Sequence, residues 1–424
     1  MTTNGSSQTA AFIGVDVGGT HTDVSVFLGD RVERGKALTT YDDFSRGVLE
    51  AVTVAAREFD MDLGELLGRT QLFINGTTVV TNTITTMRGS NVGVLTTHGF
   101  KDFLRLAGGA RTTEIDDHLQ VSVPDIIDRR GIREIDERVD WSGTVLVPVD
   151  LDQVRTEARW LVEELNIDAL AICFLWSHAN GEHELAAEAA VKEMYPDMFI
   201  TPSHRVFPVE GETRRFTTAV LNSYVQDKAD VFLTSLNEKL RDAGLKGGLA
   251  FFQGLGGGIS LEKARQYPLG LLGSGPAGGA IGSNELAKRM GHKGVLLGDM
   301  GGTSFDTGII VDNEIHIDKN LQLGPFQTGV NLVDVVSVGA GGGSIGWISE
   351  RGVPQVGPQS AGSTPGPASL DRGGEEPTVT DAMVTMGFID PEGYLGGRVK
   401  LNPELGKKAL EDVAQIVKPE TILA

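Results

Sequence analysis

The sequence predicts an α/β protein built from two duplicated domains. Strand-like apolar runs alternate with glycine-rich turns and helical stretches along the chain, and one strand–turn–strand motif occurs twice, 283 residues apart. With 424 residues, 40% of them hydrophobic and 22% charged, the chain is long enough for two or three folded domains. We place the two domains at residues 1–205 and 206–424.

Charge, apolar runs and cysteine content exclude several classes of protein. The chain has 37 Lys and Arg against 57 Asp and Glu, a net charge of −20, which disfavours binding to nucleic acid or to an anionic membrane. Its longest apolar stretch, residues 169–176, is too short to cross a bilayer, and residues 1–10 show no signal peptide, so we expect a cytoplasmic protein. The single cysteine, Cys173, excludes an intrachain disulfide and a cysteine-based zinc site.

Glycine is the unusual component, with 56 residues, nearly twice the ordinary share of about 7%. Two of its clusters, at residues 16–23 and 299–306, both read Asp-x-Gly-Gly-Thr-x-x-Asp between two apolar strands. Each predicts a β-hairpin whose turn exposes backbone N–H groups and a hydroxyl. Two such hairpins facing each other can clamp a polyphosphate from opposite sides.

The repeated motif also predicts the roles of its residues. Asp16 and Asp299 can hold Mg²⁺ (or Mn²⁺) or its waters, while Thr20 and Thr303 can bond phosphate oxygens, so these four are the catalytic candidates. A glycine-rich turn at a helix start adds an anion site near residue 274. The remaining candidate nucleotide-binding residues are Gly18, Gly19, Thr22, Gly76, Thr77, Thr78, Ser274, Gly275, Gly278, Gly301, Gly302, Ser304 and Asp306. An alternative role for Asp23 and Asp306 is to brace the hairpins by accepting turn N–H bonds.

The elements follow in order along the chain. Residues 12–28 predict the first hairpin, and apolar spacing predicts helices over 44–58, 79–87 and 151–165. Residues 107–150 are expected to be a solvated charged loop, and the spacing of five between His178 and His183 argues against a metal site. A second α/β unit is expected to start near Gly248. The other predicted elements are strands at 72–74, 92–95, 169–176, 250–253, 295–298 and 307–311, helices at 217–236, 281–289 and 410–423, a helix opening after 177–184, a strand and glycine loop at 333–344, and an irregular excursion at 352–377.

Taken together, the motifs resemble one family, the hydantoinase/oxoprolinase proteins, which include N-methylhydantoinase A-type subunits and the ATP-binding subunits of acetone and acetophenone carboxylases. The resemblance runs nearly end to end, and no single motif would be specific alone. It implies duplicated actin-like ATPase (ribonuclease H-like) domains with inserted irregular segments, a fold shared with sugar kinases. The matching stretches are residues 15–20, 76–82, 214–225, 274–278, 299–306, 338–344, 357–367, 378–382 and 395–397.

The resemblance implies an ATP-dependent hydrolase or carboxylase subunit. The γ-phosphate of ATP would go to a carbonyl or enolate oxygen of a small-molecule substrate, for hydrolysis of a lactam or hydantoin or for carboxylation of a ketone. A larger hydantoinase B or carboxylase-type subunit is the implied partner. Such proteins usually continue further, so we expect residues 206–424 to form an incomplete second domain.

Certain positions match or depart from the family pattern. Glu212 and Arg215 match, and two readings are equally open: contact with substrate, or a salt bridge at a domain hinge. Asn75, a third candidate for substrate contact, stands where the family usually has His and supplies no protonatable group. Residues 254–257 read Gly-Leu-Gly-Gly in place of Ser-Asn-Gly-Gly, and Ser304 in the second motif is typical of the ketone-carboxylase branch.

Two other functions remain open at this point. A sugar or acyl kinase of the same fold would also carry Asp-x-Gly-Gly-Thr, although residues 90–140 offer no convincing catalytic aspartate. A non-catalytic scaffold subunit would keep the fold without turnover, as the substitution at Asn75 allows.

Overall fold

The computed structural model describes residues 9–106, 126–319, 321–323 and 326–414, which form a mixed α/β structure. The helices are α1 (Phe44–Glu58), α2 (Leu63–Arg69), α3 (Val79–Thr85), α4 (Phe103–Leu106), α5 (Leu151–Leu165), α6 (Glu182–Met194), α7 (Ser203–Val206), α8 (Glu212–Tyr224), α9 (Gln226–Asp242), α10 (Leu261–Gln266), α11 (Ser274–Arg289), α12 (Val379–Thr385) and α13 (Pro403–Ala414). The strands are β1 (Ala11–Val17), β2 (His21–Leu28), β3 (Arg31–Leu38), β4 (Thr70–Thr77), β5 (Val92–Thr97), β6 (Ile132–Ile135), β7 (Arg138–Val139), β8 (Val145–Val147), β9 (Ala169–Cys173), β10 (Phe199–Pro202), β11 (Gly248–Phe252), β12 (Gly258–Ser260), β13 (Val295–Met300), β14 (Phe305–Ile310), β15 (Ile317–Asp318), β16 (Gln322–Leu323), β17 (Phe326–Gln327), β18 (Leu332–Val333), β19 (Val336–Val338), β20 (Ser344–Ile348) and β21 (Pro354–Ser360).

The first and largest sheet has the strand order β12-β11-β4-β1-β2-β3. Strand β1 runs antiparallel to β2 and parallel to β4, and its side chains alternate between two faces. Ile13, Val15 and Val17 point into the main hydrophobic core, where α1 and α9 pack, whereas Asp16 lies on the opposite face. The core therefore holds the strand rigidly while its polar side chain stays outside the core.

A second sheet, with the order β10-β9-β5-β6, is parallel throughout. Every residue of β9 is buried, as expected for a parallel strand covered on both faces. Helices α5 and α6 contribute to its own hydrophobic cluster, separate from the main core. The sheet packs against α8, whose buried hydrophobic residues belong to the main core, so the two layers are joined through that helix.

A third sheet carries the second copy of the repeated motif. Its order is β13-β14-β19, with all neighbours antiparallel, and α11 packs against one of its faces. Beyond it, β20 and β21 form a hairpin, and α12 and α13 pack together. In the parts of the chain that the structure describes, no helix has both the length and the apolar character needed to span a membrane.

Several predicted elements are confirmed, and α1 and α5 have the bounds that their apolar periodicity predicts. Their N-terminal caps follow the expected chemistry, because Asp43 accepts from the Ser45 N–H and Asp150 from the N–H groups of Asp152 and Gln153. The repeated hairpins are also where the sequence places them, and the buried strand β9 starts at Ala169 as predicted but ends at Cys173 rather than at residue 176.

The prediction of a charged loop at residues 107–150 is wrong for its described part, residues 126–150; residues 107–125 lie outside the described structure. Strand β6 joins the parallel sheet, with Ile132 and Ile135 buried. Its charged side chains are tolerated because they have partners: Arg133 pairs with Glu157 and stacks on the ring of Trp160. Charge alone was a poor guide because these contacts come from a later helix.

Other boundaries are also corrected. The region near Gly248 does not begin a new unit, since β11 pairs in parallel with β4 and extends the first sheet. The sheet thus crosses the predicted domain boundary at 205/206, which itself stays a prediction. Helix 217–236 is two helices, α8 and α9, joined at Val225, and the helix expected from residue 281 starts at Ser274.

Near the end of the described chain, two expectations change. The excursion at 352–377 contains β21, which pairs with β20 and so is not wholly irregular. Helix α13 begins at Pro403, before the predicted start at residue 410, and the predicted end at residue 423 lies among residues 415–424, outside the described part.

Candidate functional site

The two copies of the motif fold into hairpins with the same register. Asp16 lies opposite Asp23 in the first hairpin, and Asp299 lies opposite Asp306 in the second. Each turn is closed by the same bond: Gly18 N–H donates to the His21 carbonyl, and Gly301 N–H donates to the Ser304 carbonyl, both at 2.9 Å. The sequence repeat is therefore a repeat of backbone structure.

The tips of the two turns touch each other. A β-carbon added at Gly302 would overlap the Thr20 side chain, and one added at Gly19 would lie 3.3 Å from Thr303 Cγ2. Thr20 is buried in this contact, whereas Thr303 is exposed. Glycine at these positions lets two backbones and two threonine hydroxyls approach one point.

Asp16 lies beside these turns, next to two further predicted glycines. A β-carbon at Gly275 would lie 3.2 Å from Asp16 Oδ1, and one at Gly76 would lie 3.6 Å from it. Ser274 fastens this region, since its hydroxyl accepts from Thr77 N–H at 2.9 Å and lies 3.1 Å from the Thr77 carbonyl. The start of α11, the end of β4 and the first hairpin thus converge on one carboxyl group.

The pKa of Asp16 is raised to about 6, first by burial and then by the negative charges of Asp23, Asp299 and Asp306, with Lys36 acting in the opposite direction. Protein atoms crowd the carboxyl group, yet Asp16 as a whole residue is exposed to solvent. Carboxylates from both hairpins therefore act on one another. Such a pair favours a bound cation between or beside them.

The second turn rests on a glycine loop, residues 339–343, that the sequence repeat alone does not link to it. Gly342 N–H donates to the Gly301 carbonyl at 2.9 Å, and Gly343 N–H donates to the Gly302 carbonyl at 2.6 Å. Thr380, in α12, binds the Gly342 carbonyl through its N–H and its hydroxyl, at 2.7 and 2.8 Å. The turn is held by backbone bonds from a loop that is in turn held by a helix.

The first turn is supported by side chains that the sequence reasoning missed. Thr39 Oγ1 donates to the Gly18 carbonyl at 2.8 Å, and the Tyr41 hydroxyl donates to the Gly19 carbonyl. His21 contacts Thr20 Oγ1 through Nδ1 at 2.9 Å, and its Nε2 lies 3.4 Å from the Tyr394 hydroxyl. Burial and Lys36 lower the pKa of His21 to about 4, so the ring is neutral at physiological pH. His21 lies within the repeated motif, so the sequence offered a reason to select it. No sequence motif pointed to Tyr41 or Tyr394.

Two models of one protein family match most of the chain. The model of the hydantoinase/oxoprolinase N-terminal region matches residues 12–195, and the hydantoinase/oxoprolinase model matches residues 215–422. The chain belongs to the hydantoinase/oxoprolinase family. Both hairpins, the Gly76 turn, the start of α11 and the glycine loop at 339–343 lie inside the matched regions.

Three relatives of this family member show the breadth of the group. The acetophenone carboxylase gamma subunit of Aromatoleum aromaticum is 35% identical over 97% of this chain. A nucleotide-free structure of acetone carboxylase superposes with a TM-score of 0.87 at 27% identity over 96% of this chain, and the crystal structure of the ATP-dependent caprolactamase of Pseudomonas jessenii superposes with 0.75 at 31% over 94%. The chain spans 58%, 59% and 58% of these relatives, respectively.

Some predicted residues of this family member do not reach the hairpin tips. Thr22 is fully buried on the core face of β2, near Thr39, and Thr78 donates to the Val17 carbonyl at 2.9 Å, so both brace the strands. Asn75 pairs in register with Val15 and so lies on the core face, opposite to Asp16. Both of its amide atoms are buried without a hydrogen-bond partner.

The second aspartate of each motif was predicted to brace its hairpin by accepting turn N–H bonds. Its partners in the structure are side chains. Asp23 binds Lys36 Nζ at 2.7 Å, and Asp306 accepts from the hydroxyls of Ser337 and Ser304. Gly278 lies further along α11, where a β-carbon would be 3.7 Å from the Phe252 ring. It is therefore not at the hairpin tips either.

Of the two roles predicted for Arg215, contact with a substrate does not fit its position in the structure. Its side chain is fully buried and donates to Ser203 Oγ, the Val209 and Phe174 carbonyls, and Glu212 Oε1 at 3.1–3.3 Å, with His178 Nδ1 at 3.1 Å. A guanidinium so enclosed has no surface left for a substrate. Of the two earlier readings, the structure supports the salt bridge with Glu212, which fastens α8 to the ends of β9 and β10.

Cys173, His178 and His183 are each either buried and unreactive or paired with another side chain. Cys173 is fully buried, and burial raises the pKa of its thiol well above the usual range. His183 Nδ1 lies 2.8 Å from Glu137 Oε2, and His178 is bonded to Arg215. Over residues 9–106 and the later described ranges, no group of three or more metal-ligating side chains assembles.

We expect Arg215→Met to lower the free energy of unfolding by about 3–5 kcal/mol, because Glu212 and several buried acceptors lose their donor. Arg205→Met is the matched control. Arg205 pairs with Glu188 but is half-exposed, so its loss should cost less than about 1 kcal/mol. Urea unfolding followed by circular dichroism measures both, and equal midpoints for the two variants would contradict the bracing role.

Asp16 should also make stability depend on pH. A carboxyl group whose folded pKa lies above 3.8, its ordinary value, binds more protons in the folded than in the unfolded state, so folding is destabilised as pH rises towards about 6. Asp16→Asn removes this cost, and we expect it to raise the melting temperature at pH 7–8 without divalent cations. Below about pH 4 the variant should melt like the parent. A constant difference from pH 4 to 8 would show that Asp16 carries no such charge penalty.

Proposed function

We propose that this chain is the ATP-binding part of an enzyme that transfers the γ-phosphoryl group of ATP to a carbonyl or enolate oxygen of a small molecule. The observation that carries the proposal is the meeting of two equivalent glycine turns, each with a threonine and each preceded by an aspartate. Two relatives are described as ATP-dependent, one for acetone carboxylation and one as a caprolactamase. Both chemistries begin at a carbonyl group.

We further propose that the fold is a pair of actin-like ATPase domains, with a phosphate hairpin in each. The support is the identical register of the two hairpins and the identical bond that closes each turn. In such an arrangement the nucleotide phosphates lie between the hairpin tips. The backbone N–H groups of both turns then approach the phosphates from two sides.

Phosphoryl transfer depends on positioning and on neutralising charge rather than on a covalent nucleophile. Thr20 and Thr303 supply hydroxyl donors to phosphate oxygens, and the glycines beside them admit the phosphates close to the backbone. The start of α11 adds N–H groups at Gly275, next to Asp16. In the transfer, the bond between the γ-phosphorus and the bridging oxygen breaks, the substrate oxygen forms the new bond, and ADP leaves.

Asp16 and Asp299 fit a Mg²⁺ or Mn²⁺ site shared with the phosphates. Magnesium is usually held by one or two carboxylates together with phosphate oxygens and waters, and these aspartates are close enough for the charge of Asp299 to raise the pKa of Asp16. When bound, the ion would neutralise charge on the transferred group. The two carboxylates would orient its waters from opposite hairpins.

For the second half of the reaction, we propose a larger hydantoinase B or carboxylase-type partner subunit. The acetophenone carboxylase relative is described as a gamma subunit, which supports a role for this chain within a complex. Between lactam hydrolysis and ketone carboxylation we favour carboxylation, because of Ser304 in the second motif and the match to that subunit. A stable sugar phosphate as product would instead favour the kinase.

The proposal is tested with the chain in complex with its partner subunit. The complex is incubated with Mg·ATP and one candidate substrate in each of several parallel reactions. The candidates are acetophenone plus bicarbonate, acetone plus bicarbonate, caprolactam, a hydantoin and oxoproline. The released ADP or AMP is measured. We expect turnover to be stimulated by one ketone plus bicarbonate and not by bicarbonate alone. Stimulation by a lactam would move the assignment to the hydrolases. No stimulation by any of these would refute the proposed function.

A further inference from the structure

The internal repeat allows one face of the second hairpin to be compared with its equivalent in the first. In the first hairpin Ile13 and Val26 pair in register and are 2% and 0% exposed. Their equivalents 283 residues later, Leu296 and Ile309, also pair in register but are 79% and 67% exposed. The equivalent apolar pairs are therefore buried in the core in the first hairpin and exposed to solvent in the second.

The bare region extends across the whole third sheet. Met300, Val336 and Val338 lie on the same face as Leu296 and Ile309, since β14 pairs with β13 and β19 in a register that aligns them, and all three are exposed. The opposite face is covered, because Ile310 and Leu297 pack on Ala277 and Ala280 of α11. A contiguous apolar face of this kind marks an interaction site.

The first hairpin indicates what is needed to cover such a face. There, α1 packs so closely on β3 that a β-carbon at Gly35 would overlap the Ala51 carbonyl. Strand β4 pairs in parallel along β1, on the side away from β2. In the third sheet, over the described residues, β13 has β14 as its neighbour and no strand on its other side. Among the residues that the structure describes, the second hairpin therefore has no counterpart of β4 or of α1.

We propose that this face and the free edge of β13 form a docking surface for a β-strand and an amphipathic helix. We infer that the occupant is the region that the longer relatives carry outside their match with this chain. That region is about two fifths of the acetophenone carboxylase gamma subunit, since the match covers 58% of it. The strand would satisfy the unpaired backbone groups of β13, and the apolar face of the helix would cover Leu296 and Ile309.

Docking on this face would affect the glycine turn at the tip of the second hairpin. Strands β13 and β14 carry the bare face and lead directly into residues 301–304, and Asp299 is part of β13. Covering the face would hold the register of these two strands and so fix the carboxylate. The docking proposal itself does not depend on the nature of the reaction.

The test uses the full chain, co-expressed in turn with the unmatched region of the acetophenone carboxylase gamma subunit and with that of the caprolactamase. We expect a 1:1 complex with at least one of them, with slower amide hydrogen exchange at residues 295–311. Leu296→Lys with Ile309→Lys should weaken binding at least tenfold. The control is Phe12→Lys with Phe27→Lys, a register pair that is also exposed but lies on the opposite face of the first hairpin.

Binding is measured without ATP, so its failure and a failure of the proposed function are distinguishable. Circular dichroism of each double variant verifies that the free chain stays folded, which we expect because all four side chains are exposed. The inference would be overturned if neither region forms a complex, or if both lysine pairs weaken binding equally. A dimer of this chain that the Leu296 and Ile309 changes abolish would assign the face to a second copy instead.

Discussion

Asp16→Asn is expected to reduce substrate-stimulated ATP turnover by about 100- to 1,000-fold, the range found when one preorganised electrostatic group is removed from an active site. The asparagine keeps the shape of the side chain but removes its negative charge, and with it the proposed orientation of the metal-bound phosphates. Asp299→Asn is expected to act in the same direction. The measurement is the turnover number and KM for ATP in the intact complex.

Asp23→Asn is the matched control for Asp16. Asp23 lies opposite Asp16 in the same hairpin, but it is exposed and paired with Lys36. We expect its substitution to change turnover less than about fivefold, as is usual for a solvent-exposed ion pair. Because Asp16→Asn is also expected to stabilise the metal-free protein, a loss of activity with unchanged or higher melting temperature separates chemistry from misfolding. Equal activity of the two variants would remove Asp16 from the catalytic candidates.

Gly341→Ala is expected to have the second large effect, through backbone contact. A β-carbon at Gly341 would lie 2.5 Å from the Ser304 nitrogen and 2.6 Å from the Thr303 nitrogen, and neither atom can move without displacing the turn. We expect a loss of about 1–3 kcal/mol in stability, typical of overpacking, and at least tenfold weaker binding of a Mg·ATP analogue. Calorimetric titration and thermal unfolding measure the two quantities.

Gly339→Ala provides the control within the same loop. No atom lies within 4 Å of the β-carbon that this substitution would add, so stability and nucleotide affinity should stay close to those of the parent protein. If both variants bind the nucleotide equally well, close packing of the loop on the second turn is not required for the site. If both variants bind the nucleotide poorly, the loop affects the site through its flexibility and not through its close contact with the second turn.

The sequence allowed prediction of the residues at the hairpin tips because the motif is local. Asp16, Thr20 and their equivalents lie within a few residues of the turns that position them, and the glycines that those turns need are part of the same pattern. The glycine loop at 339–343 was recognised as a motif, but its bonds to Gly301 and Gly302 join residues about 40 apart. Nothing in the local pattern indicates that partner.

Predictions for Thr22, Asn75 and Arg215 show where sequence reasoning ends. Thr22 and Asn75 belong to motifs that contribute to the site, yet strand alternation turns their side chains towards the core. Arg215 has a charged side chain, which favours exposure, but acceptors from the ends of β9 and β10 enclose it. In each case the decisive neighbours come from other elements.

Taken alone, the sequence determined the two hairpins, their equivalence, the glycines at their turns and the family, because these follow from residue identities at short, fixed spacing. The tertiary structure decided that the tips meet, that burial raises the pKa of Asp16, that Arg215 is a brace, and that the apolar face of the third sheet is bare. Those properties depend on contacts between segments that lie far apart along the chain, such as the turns that contain Gly19 and Thr303. Local propensities and spacing do not determine such distances, because only packing of the whole chain brings the segments together.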